Sequence, residues 1–186
     1  VSVTIPTITL GGQVANLSRA ADDGTVNTGV TAVETKSGLQ HATKLTFSAL
    51  AVAPIVGAAD EAVGKLLYTL PVGAILVRAA HMNVALTDTA DLIDADTPEV
   101  GLGTTIGSGA NATLGAVDAA AENIIVGQVA DDVNGTYLSV GITNQGFVIP
   151  ASGDKGVYLN VADGWAGADA GLKVSGSVVL EWVSIS

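Results

Sequence analysis

From residue 172 to residue 182 the chain reads Leu-Lys-Val-Ser-Gly-Ser-Val-Val-Leu-Glu-Trp, with apolar residues or Gly at even positions and mostly Lys, Ser and Glu at odd ones. Only an extended backbone sends alternate side chains to opposite faces, so this segment is a strand with one face in a core. Val179 and Val183 break the polar parity, which predicts that a second layer or a neighbouring subunit covers that face. Residues 44–49 alternate in the same way, and Val157, Leu159 and Val161 form another apolar row with Tyr158 and Asn160 opposite.

Further β-branched runs lie at 75–77, 83–86, 100–106, 123–126, 136–142 and 147–149. Turn signals separate the strand candidates, among them Asp22-Asp23-Gly24, Pro71-Val72-Gly73, Asn134-Gly135 and Ser152-Gly153-Asp154. Many short strands spaced by such turns build a sandwich or barrel rather than an α/β fold. Helix is expected only at 114–122, Ala-rich but weakened by Gly115, with at most one helical turn at 58–62. Residues 11–40 carry scattered hydrophobes and no sustained period. The expected organisation is all-β: residues 1–40 form an extended N-terminal arm or edge strands, and residues 41–186 form a single antiparallel β-sandwich, jelly-roll-like.

Composition narrows the function. Charged residues make up 13% of the chain and apolar ones 48%, with no Cys and only two His, His41 and His81. Soluble domains carry about 25% charged residues, so Thr, Ser, Asn and Gly must cover the surface, or other chains must hide it. Without Cys there is no disulfide framework or thiolate metal site. The formal charge of −11 repels a phosphate backbone, and no basic cluster offsets it, so direct nucleic-acid binding is not expected. The apolar stretch at 66–86 is interrupted by Pro71, Gly73, Arg78, His81 and Asn83, so it predicts two strands and a turn rather than a membrane span. No signal peptide is expected at Val1.

The patterns that carry chemistry are sparse. Asp88, Asp91, Asp94, Asp96 and Glu99 gather oxygen ligands in one probable loop, either a Ca²⁺ site or a solvated acidic loop; the spacing is not that of an EF-hand. Gly107-Ser108-Gly109-Ala110-Asn111-Ala112 loosely matches a dinucleotide fingerprint but lacks the strand-turn-long helix context. His41 and His81 have no second His at metal-ligand spacing, and no Gly-x-Ser-x-Gly elbow accompanies them. His81, between two strand candidates, is expected at a polar turn or interface. The sequons at Asn16, Asn111 and Asn134 arise readily in so Asn- and Thr-rich a chain. No catalytic, cofactor-binding or metal-binding residue is assigned, and no enzymatic activity or cofactor is expected.

Three stretches together carry a resemblance. Gly64-Lys65-Leu66-Leu67-Tyr68-Thr69-Leu70 enters a Pro71-Val72-Gly73-Ala74 turn, and Val100-Gly101-Leu102-Gly103-Thr104 is followed by an Ala/Thr-rich loop and Glu122-Asn123-Ile124-Ile125. Val157-Tyr158-Leu159-Asn160-Val161 then leads through a Gly/Ala/Asp loop to Val174-Ser175-Gly176-Ser177-Val178-Val179-Leu180. Over residues 44–185 the chain resembles the capsid decoration (cement) proteins of tailed bacteriophages. The resemblance implies a virion structural protein on the outer capsid surface, bound to the major capsid protein, stabilising capsomer junctions and self-associating as a homotrimer. The competing expectation is a secreted or cell-surface β-sandwich module that binds calcium or glycan through the acidic loop.

Overall fold

The computed structural model describes residues 24–59, 61–89, 97–130, 146–165 and 167–185, together with the backbone of 9–10, 13–14 and 137–141. Its strands are β1 (Thr9–Leu10), β2 (Gln13–Val14), β3 (Thr25–Val26), β4 (Val30–Ser37), β5 (Gln40–Ala51), β6 (Ile55–Val56), β7 (Ala62–Thr69), β8 (Ile75–Thr87), β9 (Glu99–Gly103), β10 (Ile125–Val129), β11 (Tyr137–Gly141), β12 (Phe147–Ile149), β13 (Gly156–Ala162), β14 (Ala168–Asp169) and β15 (Lys173–Ser184). One helical turn, α1 (Leu114–Val117), and short 3-10 turns at Gly57–Ala59 and Ala119–Ala121 complete the described elements. No helix among the described residues is long and apolar enough to cross a membrane.

Two sheets form the sandwich, a five-stranded one in the order β10-β9-β13-β7-β3 and a six-stranded one in the order β11-β8-β15-β5-β4, with β12 also on β8. The pairs nest. β5 pairs with β15, β7 with β13, β8 with β11 and β12, and β9 with β10, all antiparallel. Pairing first with last and second with second-last doubles the chain into one long ribbon, and wrapping that ribbon into two facing sheets gives a jelly roll. β3 and β4 add one edge strand to each sheet.

The alternation at 172–182 does what an extended backbone requires: Val174, Val178, Leu180 and Trp182 are buried in the core between the sheets. On β5, His41, Thr43, Leu45 and Phe47 point inward, and so do Leu50 and, just past the strand's end, Val52, with the opposite parity. The change of phase is a bulge at Ser48 and Ala49, which together oppose the single residue Ser175. Ala49 takes φ 47° there, and its N–H donates to Ser175 Oγ at 2.8 Å. β8 repeats the device: Ile75 and Val77 face the core, then Ala80, Met82, Val84 and Leu86, with the register shift against β15 falling at Arg78. Without one extra residue in each strand, every side chain beyond that point would turn to water.

The outer face of the five-stranded sheet is covered by the chain's own excursion from Thr104 to Asn123. Leu114 packs there with Ala62 and Ala162. A Cβ at Gly101 would stand 2.9 Å from Leu114 Cδ1, and one at Gly103 would stand 2.2 Å from Ala120 O. In Val100-Gly101-Leu102-Gly103 the large residues therefore face the core and the glycines admit the excursion. The Ala-rich segment expected to be helical divides into α1 and the 3-10 turn, which the Asp118 carboxylate caps by accepting from Ala120 N–H at 3.0 Å.

One expectation changes. The runs 75–77 and 83–86 are parts of one strand, so His81 sits exposed in the middle of β8 rather than in a turn. Residues 30–37, which show no period in the sequence, form the edge strand β4, the edge-strand alternative for that part of residues 1–40. β4 lies at the rim: among its eight residues only Val30 is buried, and the inward parity continues with the exposed Ala32 and the polar Glu34, so no apolar row is needed. The arm expectation otherwise falls on residues 1–8, 11–12 and 15–23, which lie outside the described residues.

Two substitutions test this packing. Leu180, 1% exposed, replaced by Asp should cost about 4 kcal/mol in urea unfolding, because a buried carboxylate has no partner there. Ala49→Gly should raise stability by about 0.5 kcal/mol, the relief of left-handed strain exceeding the added freedom of the unfolded chain; a loss on Ala49→Gly would contradict the bulge conformation.

Candidate functional site

The side chains able to do acid-base chemistry converge inside one end of the sandwich. Register places His41 opposite Trp182, and their rings stack with centroids 3.6 Å apart at 15°. His41 Nδ1 lies 2.5 Å from Glu34 Oε1 of β4, while Glu34 Oε2 accepts from Thr43 Oγ1 at 3.3 Å and from the Tyr68 hydroxyl at 2.9 Å. Trp182 Nε1 donates to Thr43 Oγ1 at 3.0 Å. Tyr68 comes from the opposite sheet, where the register shift at Leu67 lets both Leu67 and Tyr68 be buried. Its hydroxyl also accepts from Gly24 N–H at 2.9 Å, and a Cβ at Gly24 would stand 2.3 Å from the ring.

Chemically this cluster is a clasp. Burial first, and then the charge of Glu34, push the Tyr68 hydroxyl far up, so it stays protonated and donates. His41 is 4% exposed and flat against Trp182, out of reach of a substrate. The network ties the edge strand β4, the central strands β5 and β15 and the opposite sheet together. The sequence signal for it is weak: His41 and Thr43 share the inward parity of β5, but Glu34 lies in a strand without a pattern.

Among the described residues, the motifs singled out in the sequence do not converge on one site. Asp91, Asp94 and Asp96 lie outside the described residues, and so do Asp22, Asp23 and the sequons at Asn16 and Asn134. Among the described residues no group of three His, Cys, Asp or Glu is arranged to hold a metal ion. Asp169 closes the C-terminal side of the sandwich instead, its Oδ1 accepting from Thr89 Oγ1 at 3.0 Å and Gly171 N–H at 2.5 Å. His41 points inward from the six-stranded sheet and His81 outward from it. The Gly107 segment serves the fold, with Gly107 N–H donating to Asn160 Oδ1 at 2.7 Å. Asn160, fully buried, also donates through Nδ2 to Thr105 O and Ala121 O at 2.9 and 2.7 Å, pinning the excursion to the sheet.

Carboxylates meet at the opposite end of the sandwich. Glu99 Oε1 accepts from Leu114 N–H at 2.5 Å and Glu122 Oε2 from Gly127 N–H at 2.6 Å. Burial pushes the Glu99 carboxyl up, the Leu114 N–H opposes that, and the charges of Glu122 and Asp163 add to the upward shift.

Among the described residues, the outer face of the six-stranded sheet is the larger open surface. Across that face run Thr31, Val33 and Thr35 of β4, Ala42, Lys44 and Thr46 of β5, Lys173, Ser177, Val179, Glu181 and Val183 of β15, and His81 and Asn83 of β8, with Arg78 at the bulge of β8. Val179 and Val183, the residues that break the polar parity, are half-buried, and Val148 of β12 and Leu76 of β8 extend the apolar row from Val183. The face is built largely of small and β-branched residues, and among its charged side chains Lys44, Arg78, Lys173 and Glu181 only one is a carboxylate.

No protein-family model and no curated protein sequence matches the chain. Among solved structures it is similar to a chain of the cyanophage Pam1 capsid asymmetric unit, at 17% identity and a TM-score of 0.41, over 96% of this chain and 99% of that one. It is also similar to part of the arabinose-bound α-L-arabinofuranosidase MgGH51, at 11% identity and a TM-score of 0.34, over 88% of this chain. The chain spans 23% of that enzyme's length.

The raised carboxyl of Glu99 sets a pH dependence. Its contribution to stability is fully present below the unfolded carboxylate value and is lost as pH rises through the higher folded one. Glu99→Gln keeps the acceptor for Leu114 N–H and removes the charge, so its thermal midpoint should exceed the parent's at pH 7 and converge with it at a pH below about 4, the ordinary carboxylate range. Equal midpoints at both pH values would place Glu99 in water.

Proposed function

We propose that this chain is a virion structural protein: a capsid decoration, or cement, protein that sits on the outer surface of a phage head as a homotrimer and stabilises capsomer junctions by contact with the major capsid protein. The observation that carries the reading is the division of labour between inside and outside. The chemistry-bearing groups Glu34, His41, Tyr68, Asn160 and Asp169 are engaged in holding strands and loops in place. Outside, among the described residues, the chain offers an open sheet face poor in carboxylates, and each Å² of apolar surface hidden there contributes roughly 25 cal/mol. Small gains of that kind, repeated over many copies on a lattice, add up through multivalency.

The resemblance to decoration proteins supports the same reading. Its three stretches fall on β7 and the start of β8, on β9 and the entry to β10, and on β13 and β15, the central strands of the jelly roll. An arm reaching onto a neighbouring subunit or capsid protein falls, on this reading, to the residues before Gly24, and their removal should leave a folded sandwich with weaker capsid binding.

Gold-labelled antibody against the chain, applied to particles from the culture that produces it, tests the assignment by electron microscopy. Label on the outside of tailed-phage heads is expected, and the isolated protein should sediment near three times its 18.4 kDa chain mass. Label on cell surfaces instead, with calcium-dependent or glycan-dependent binding, would replace this reading with the secreted-module one.

A further inference from the structure

We propose that Asp163-Gly164 is a site of spontaneous covalent modification, where the aspartate isomerises through a cyclic imide to isoaspartate while the protein is folded. The site stands independently of the capsid reading.

The chemistry asks for a carboxyl held against the backbone nitrogen of the following residue. That nitrogen attacks Cγ, the N–H proton and one carboxyl oxygen with its proton leave as water, and a five-membered succinimide closes. Water then opens the ring at either carbonyl, returning aspartate or leaving isoaspartate, whose main chain runs through Cβ and Cγ. No oxidant, metal or enzyme takes part, and the mass of the chain is unchanged. The rate is governed by how often the two reacting atoms meet in the right geometry.

The chain contains two Asp-Gly steps, Asp23-Gly24 and Asp163-Gly164, and the fold treats their glycine nitrogens differently. Gly24 N–H donates to the Tyr68 hydroxyl at 2.9 Å, and Gly24 is wedged so tightly that a Cβ there would stand 2.3 Å from the ring. Gly164 N–H instead donates to Asp163 Oδ1 at 2.7 Å, which brings the carboxyl against the nitrogen that must attack it. At Asp118, Asp154 and Asp169 the carboxylate reaches one residue further and accepts from the N–H of Ala120, Gly156 and Gly171. The residue that follows each of those, Ala119, Lys155 or Ala170, also carries a Cβ beside its nitrogen. Gly164 carries none, and it is exposed, so water can reach and open the ring.

The surroundings hold the step in this geometry. β13 ends at Ala162, Asp163 N–H donates to Glu61 O at 3.2 Å, and Trp165 Nε1 donates to the same oxygen at 2.8 Å. These two bonds clamp the chain on either side of the Asp163-Gly164 peptide. Isoaspartate adds a main-chain carbon between the clamps, so modification strains the pair of bonds on Glu61 O and the seat of the buried Trp165 indole.

Long incubation of the purified protein at about pH 5, near the carboxylate range, tests the site. Trypsin releases Asp163 within residues 156–173 and Asp23 within residues 20–36, and electron-transfer fragmentation tells isoaspartate from aspartate at each position. In the folded protein isoaspartate should accumulate roughly tenfold faster at Asp163 than at Asp23, and in concentrated urea that ratio should fall towards one. Gly164→Ala, whose new Cβ would stand 3.8 Å from Ala112 Cβ and so fits, should keep the thermal midpoint and lose most of the isomer. A folded-state ratio no higher than the ratio in urea would overturn the site. So would aspartate left intact at 163 in the folded protein over the time in which urea converts it, or isoaspartate undiminished in Gly164→Ala.

Discussion

The sandwich depends on keeping side-chain phase along strands longer than the core is regular. β15 is paired on both sides over nearly its whole length, and its buried row from Val174 to Trp182 has to meet buried rows from β5 and β8. A twisted pair of long strands cannot hold strict two-residue alternation against a curved opposite sheet, and the single extra residues at Ala49 and Arg78 restore it. Gly176, at φ 142°, permits the matching close approach, since a Cβ there would stand 2.1 Å from Asn83 O. The nested jelly-roll pairings follow once those rows are aligned.

Polar groups inside the fold then act as fasteners. The Glu34, His41, Thr43, Tyr68 and Trp182 network joins an edge strand to two central strands and to the opposite sheet, and nearly every donor in it has a named acceptor. Asn160 performs the same service on the other sheet for a long excursion with little secondary structure of its own. A loop of that length needs such an anchor, because its own backbone groups make few regular pairs. The result is a covered sheet face, which leaves the six-stranded sheet as the larger open surface.

That asymmetry links architecture to the proposed role. Acidic groups such as Asp88, Glu99, Asp163 and Asp169 gather at the end where β5 meets Lys173, while the outer face of the six-stranded sheet carries Lys44, Arg78 and Lys173 but a single carboxylate, Glu181. At a net charge of −11, a contact with another acidic surface is favoured where carboxylates are few. The row through Val183, Leu76 and Val148 has that character.

Much of the fold was legible from residue order alone. Alternation at 172–182, 44–49 and 157–161 marked strands that the structure contains, because burying one face of an extended chain dictates a period of two. Whereas the helix expected at 114–122 is only one helical turn, Leu114–Val117, followed by a 3-10 turn, the Pro71-Val72-Gly73 turn was equally readable, since Pro and Gly act locally. The continuity of β8 through His81, the bulges at Ala49 and Arg78, and the edge strand β4 were not, because each is set by what lies on the neighbouring strand. The clasp around Glu34 shows the limit most plainly. His41, Tyr68 and Trp182 are far apart in the chain and carry no shared motif, and only the pairing of β5 with β15 and the facing of the two sheets bring them within hydrogen-bonding and stacking distance.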